Sequence, residues 1–128
     1  MSNIFNVLAV SSAGFTALLY WIGLDRFYFW YYPWFDIVLH LVGGLTIGFW
    51  GAALASRRQF PPRLAAGCIV ILAVLIGVLW ESFEYISGLT VGKPDYWFDT
   101  MTDLGNGFVG ASLVVLFYSV IARNKKTY

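Results

Sequence analysis

The stretch LAAGCIVILAVLIGVLWESFEY, residues 64–85, decides the fold of this chain. Its first part, residues 64–78, is an apolar run that predicts a membrane-spanning helix. Glu81 and Glu84 follow at i and i+3, which places both carboxylates on one face of that helix. If the helix ends at Gly88, Glu81 lies roughly 10 Å inside it. A carboxylate in hydrocarbon is costly, so its presence here predicts a functional site.

The composition is that of a membrane protein. The chain has 128 residues, of which 59% are hydrophobic and 12% are charged, whereas about 25% of residues are charged in soluble domains. The formal net charge is +1, and we expect no nucleic-acid partner. Cys68 is the only cysteine, which excludes an intramolecular disulfide. We predict a multi-pass protein of the plasma (inner) membrane.

Four segments are long and apolar enough to cross the roughly 30 Å of hydrocarbon in a bilayer. We predict an all-α bundle of four transmembrane helices, over residues 4–24, 34–55, 64–87 and 100–122. A chain of this length has room for one domain, residues 1–128. Because the connections are short, consecutive helices should be antiparallel.

The basic residues indicate the orientation of the bundle. Six of them lie on the side of the N-terminus: Arg57, Arg58, Arg63, Arg123, Lys125 and Lys126. The opposite side carries Arg26 and Lys93. Since cytoplasmic loops of membrane proteins are enriched in Lys and Arg, both termini are predicted to be cytoplasmic.

This topology makes a prediction about fusion proteins. A reporter that is active only outside the cytoplasm should be inactive when it is fused after Tyr128, because the fourth helix would return the chain to the cytoplasm. Reporter activity in cells expressing the fusion measures the outcome, and an active reporter would contradict the predicted orientation.

Each of the last three helices carries polar residues at helical spacing near its outer end. These are Asp36 and His40 on the second helix, Glu81 and Glu84 on the third, and Asp99, Asp103 and Asn106 on the fourth. Small residues continue the same faces inward: Gly44, Gly48, Gly51, Ala73, Gly77, Gly107, Gly110 and Ala111. Because small residues let membrane helices approach closely, these faces should meet one another rather than lipid.

His40 is the only basic residue within the predicted spans. Several carboxylates close together in a low dielectric cannot all stay ionised, so either some are protonated or a cation lies among them. Carboxylates and a histidine on facing helices are known to build metal sites in helical bundles. Ligands of this kind suit Mg²⁺, Mn²⁺, Fe²⁺ or Zn²⁺.

The residues receive different predicted roles in such a site. We predict His40, Glu81, Glu84 and Asp103 as ligands of a divalent metal, with Asn106 hydrogen-bonded to them. Asp36 and Asp99 are predicted as catalytic proton acceptors. Other roles are open for several of these residues. Asp36 and Asp99 suit helix starts, where the dipole favours acids, Glu84 could reach the interface, and Asn106 could bond between helices.

The order Asp36-x3-His40, Glu81-x2-Glu84 and Asp99-x3-Asp103-Leu104-Gly105-Asn106-x3-Gly110 resembles the VanZ-like membrane proteins and the related YjdF-type family. The resemblance covers the last three helices. Glu84 follows the YjdF-type form, whereas Asn106 is more similar to the VanZ-like form. The resemblance implies a small multi-span protein with a role in the cell envelope, since VanZ-like proteins are associated with low-level glycopeptide resistance.

Three functions fit this pattern. In the first, an envelope protein binds a divalent cation and acts on a lipid-linked or amphiphilic substrate, with the metal polarising a phosphoryl or carbonyl oxygen. The aromatic outer connections, rich in Trp and Tyr from Phe27 to Phe35, would hold an acyl or prenyl chain. In the second, the protein is a proton or cation transport component, because intramembrane acids mark such paths. In the third, it is a noncatalytic accessory protein whose acids lock the bundle.

Overall fold

The computed structural model describes residues 1–88 and 95–124. Within them the chain forms α1 (Ser2–Asp25), α2 (Tyr28–Tyr31), α3 (Pro33–Arg57), α4 (Pro62–Ile86) and α5 (Tyr96–Asn124), and no strand. The four helices other than α2 are long and apolar enough to cross a membrane. This confirms the predicted all-α architecture of four spanning helices. Three of the basic residues used to predict the orientation lie outside the described residues: Lys93, Lys125 and Lys126.

The helices begin earlier than the hydropathy pattern predicts. Prolines open α3 and α4, at Pro33 and Pro62, where the missing N–H would have no partner within the helix anyway. The helix α5 begins at Tyr96, so the aromatic residues that follow it belong to the helix rather than to a loop. The aromatic connection after α1 contains the single turn α2, which follows Phe27 in a left-handed conformation.

The helix α3 is the centre of the bundle. It packs against α1, α4 and α5, and α5 also packs against α4. In the described part of the chain, no Cα atom of α1 lies within 8 Å of a Cα atom of α4. Both helices therefore pack against α3, but their backbones are not in close contact with each other.

Glycines allow α3 and α5 to pack with their backbones in contact. A Cβ atom on Gly44 would overlap the carbonyl of Gly107, and one on Gly110 would overlap the carbonyl of Leu41. A Cβ atom on Gly48 would lie 2.8 Å from Cγ2 of Val114. The small faces of these two helices meet, as the sequence predicts, and this contact brings the polar residues of both helices together.

Candidate functional site

His40 lies among three carboxylates at one end of the bundle. Its Nε2 atom is 3.6 Å from Oδ1 of Asp36, 3.9 Å from Oε1 of Glu81 and 3.8 Å from Oδ2 of Asp103. We call these four residues the His40 cluster. Their side chains are 12%, 21%, 7% and 4% exposed for His40, Asp36, Glu81 and Asp103, respectively. All four are thus largely withdrawn from the surroundings of the bundle.

The cluster forms because three helices reach the same depth. Asp36 and His40 are neighbours at i and i+4 on α3. His40 and Asp103 each lie about 10 Å from the starts of α3 and α5, and Glu81 lies about 7 Å before the end of α4. Since α4 ends where α3 and α5 begin, it runs antiparallel to both. We call this end of the bundle, which holds the His40 cluster, the acidic end.

The carboxylate of Glu81 is held by a residue that the sequence analysis did not single out. The hydroxyl of Thr100 donates a hydrogen bond of 3.0 Å to Oε2 of Glu81, and both residues are buried. The other carboxylate oxygen of Glu81, Oε1, lies 3.9 Å from Nε2 of His40. Thr100 precedes Asp103 by three residues, so it shares a helical face with a cluster residue, and that spacing is the signal by which it could have been found.

The spacing of the cluster suits a small metal ion. One ligand atom each from Asp36, His40 and Asp103 lie within 4.8 Å of one another. Direct charge-assisted hydrogen bonds are about 2.7–2.9 Å long, and the three distances to Nε2 are all longer, at 3.6–3.9 Å. Metal bonds of about 2.0–2.2 Å place tetrahedral ligand atoms roughly 3.4 Å apart. The distances from Nε2 to the three carboxylate oxygens therefore exceed this ligand separation by about 0.2–0.5 Å.

The structure places the predicted site residues in different surroundings. Asp36, predicted as a proton acceptor, lies in the cluster beside His40. Glu84, predicted as a ligand, accepts a hydrogen bond of 3.0 Å from Nε1 of Trp80. Asp99 lies in the first turn of α5, and the amide of Asn106 donates to the backbone carbonyl of Thr102 in its own helix. The contacts of Glu84 and Asp99 fit the structural roles that the sequence left open for them, whereas the bond of Asn106 lies within α5 rather than between helices.

A cavity of about 240 Å³ adjoins the cluster. Residues of α1, α3, α4 and α5 line it: Thr16, Leu39, His40, Gly43, Gly44, Thr46, Ile47, Ala73, Ile76, Gly77, Trp80, Asp103, Leu104 and Gly107. Two cluster residues, His40 and Asp103, thus form part of its wall. The cluster is therefore next to space that a small molecule or part of a larger one could occupy.

Four apolar helices of spanning length around a buried group of carboxylates and an imidazole define a multi-pass membrane protein. Residues 3–124 match the family described as predicted membrane protein, DUF2238, and the chain belongs to this family. No curated protein and no solved structure matches the chain.

Proposed function

We propose that this protein binds a divalent cation in the His40 cluster and uses it to act on a lipid-linked or amphiphilic substrate. The observation that supports the proposal is the convergence of three carboxylates, from three helices, within 3.9 Å of one imidazole nitrogen. A protonated imidazole would balance only one of three ionised carboxylates. A divalent cation would offset two of the three negative charges and so reduce their repulsion, which is strong in a low dielectric.

The residues of the cluster would have different roles, as metal ligands or as a proton acceptor. His40 and Asp103 would be ligands, since they are two of the three residues whose ligand atoms lie within 4.8 Å of one another. Glu81, which accepts the hydrogen bond from Thr100, would be a further ligand at 3.9 Å from the same imidazole nitrogen. A bound divalent cation would supply a Lewis acid for a phosphoryl or carbonyl oxygen. Asp36 has the most exposed carboxylate of the cluster, at 21%, so it is best placed to accept a proton from a substrate. Asp99, in the first turn of α5, is a second candidate for this role.

The cellular setting is part of the proposal. We place the protein in the plasma (inner) membrane, with the acidic end at the outer face, because the basic residues lie mostly at the other end. The order of the motifs on α3, α4 and α5 supports a relationship to the VanZ-like and YjdF-type proteins, and hence a role in the cell envelope.

A transport function is the second candidate, and one observation favours it. The hydroxyls of Thr16 and Thr46 lie 3.0 Å apart, and both residues line the cavity that begins at His40. Thr46 is six residues deeper than His40 on α3, or about 9 Å. This pair extends the polar path from the acidic end towards the middle of the bundle, which suits a proton or cation relay.

Binding of Mn²⁺ tests the proposed cation site. The purified protein in detergent, first treated with a chelator, should bind Mn²⁺ with a stoichiometry that electron paramagnetic resonance can count. Asp103→Asn should weaken binding at least tenfold, because it removes a buried negative charge 3.8 Å from Nε2 of His40. Asp25→Asn is the matched control, since Asp25 pairs with Arg26 at an exposed position.

A further variant tests whether Glu84 is a ligand of the cation. Glu84→Gln should retain Mn²⁺ binding if Glu84 serves mainly as the partner of Trp80, and should lose it if Glu84 is a ligand as the sequence predicts. Absence of Mn²⁺ binding by the wild type, or equal binding by wild type and Asp103→Asn, would overturn the proposed cation site.

A further inference from the structure

The cavity beside the His40 cluster has an ionisable end and a mainly apolar body. Its wall extends from Leu39 to Ile47 on α3 and from Trp80 to Ala73 on α4, a depth of about 10–12 Å along each helix. Between these limits the lining is mainly aliphatic, with Leu39, Ile47, Ala73, Ile76 and Leu104. An elongated space of this kind matches a molecule with a polar head and a hydrocarbon chain.

The polar groups at the deep end of the cavity need no ligand. The hydroxyl of Thr16 bonds to the carbonyl of Ser12, and the hydroxyl of Thr46 bonds to the carbonyl of Val42. The two hydroxyls also lie within hydrogen-bond distance of each other. Because these groups already have partners within the bundle, a hydrocarbon chain can lie against them without leaving a buried polar atom unsatisfied.

The backbones of α1 and α4 are not in close contact beside the cavity. Both helices contribute to its wall, yet their Cα atoms stay more than 8 Å apart throughout the described residues. Near the acidic end the two helices meet through Tyr20 and Trp80, whose rings pack edge to face at 5.8 Å. Both helices are spanning candidates, so an entry route between them below these rings would lead from the hydrocarbon of the membrane, where acyl and prenyl chains are the available occupants.

We propose that this cavity receives the hydrocarbon chain of one phosphate-bearing membrane lipid, which enters between α1 and α4 and places its phosphate at the His40 cluster. The inference rests on the proposed function, because a phosphate beside three carboxylates is repelled unless a cation lies between them. The inference therefore adds metal-dependent binding of a lipid to the proposed cation site. Binding of the lipid requires the metal, whereas binding of the metal does not require the lipid.

Gly43 offers a way to fill the cavity without disturbing the helix contacts. It lines the cavity, and a Cβ atom built on it meets no atom within 4 Å. The side chain introduced by Gly43→Phe can therefore occupy the space intended for the lipid chain. Gly105→Phe is the matched control, because a Cβ atom there also meets no atom within 4 Å but the residue is exposed and is not part of the cavity wall.

The experiment measures binding of radiolabelled decyl phosphate to the protein in dodecyl maltoside micelles, which carry no phosphate, with Mn²⁺ or with chelator, and with protein-free micelles as background. The wild type and Gly105→Phe should bind it at least tenfold more tightly with Mn²⁺ than with chelator. Gly43→Phe should lose at least tenfold in affinity while it still binds Mn²⁺, which also shows that the variant is folded. If it does not fold, the smaller Gly43→Leu replaces it. Inorganic phosphate should compete at least tenfold less well than decyl phosphate.

The outcomes separate this inference from the proposed function. Mn²⁺ binding without metal-dependent binding of decyl phosphate would overturn the lipid inference and leave the cation site standing. Equal binding by Gly43→Phe and the wild type, or equal competition by inorganic phosphate, would also overturn it. Failure of the wild type to bind Mn²⁺ would overturn both.

Discussion

Gly110→Leu is expected to destabilise the bundle by about 3 kcal/mol, at the upper end of the cost of overpacking a fitted interface. The reason is that even a single Cβ atom at this position would overlap the carbonyl of Leu41 and approach the amide nitrogen of Leu45 to 2.8 Å. Backbone atoms cannot rotate away, so α3 and α5 must separate. Thermal unfolding in detergent, followed by circular dichroism, measures the loss.

Two other glycines make this prediction specific. Gly48→Leu should cost less than Gly110→Leu, because the nearest obstacle is the side chain of Val114, which can shift. Gly105→Leu is the control on the same helix and should leave the melting temperature nearly unchanged, since a Cβ atom there meets nothing within 4 Å. If all three variants melt like the wild type, these glycines do not determine how closely α3 and α5 pack.

Removal of divalent cations is expected to lower the melting temperature of the wild-type protein. An ion that binds only the folded state stabilises it by about 2.7 kcal/mol at a hundredfold excess over its dissociation constant. Melting curves with chelator, and then with added Mn²⁺, measure this contribution. The added Mn²⁺ should restore the original melting temperature.

Glu81→Gln tests whether this stabilisation depends on the cluster. Glutamine keeps the volume of Glu81, and its amide oxygen can still accept the hydrogen bond from Thr100, but the negative charge beside His40 is lost. The melting temperature of this variant should respond little to chelator, whereas that of Asp25→Asn should respond like the wild type. A wild type that melts at the same temperature with and without chelator would show that the carboxylates are held together without an ion.

The sequence by itself determined the four spanning helices, because hydropathy and length are local properties that need no knowledge of neighbours. It also determined the pairing of Asp36 with His40, since residues four apart on a helix must be neighbours. The cost of a carboxylate in hydrocarbon identified Glu81 and Asp103 as candidates before their surroundings were known. The glycines of α3 and α5 further predicted that the faces carrying these acids would meet.

Only the tertiary structure decided which polar residues share a site. Glu81 and Glu84 differ by about 60° around the helix and about 4.5 Å along it, and the rotation of α4 turns the first towards His40 and leaves the second beside Trp80. The bond from Thr100 to Glu81 joins two helices, so the spacing within α5 that points to Thr100 does not reveal its partner. The cavity follows from how the other three spanning helices pack around α3. Such space depends on interhelical distances and rotations, which are set by contacts between residues far apart in the chain.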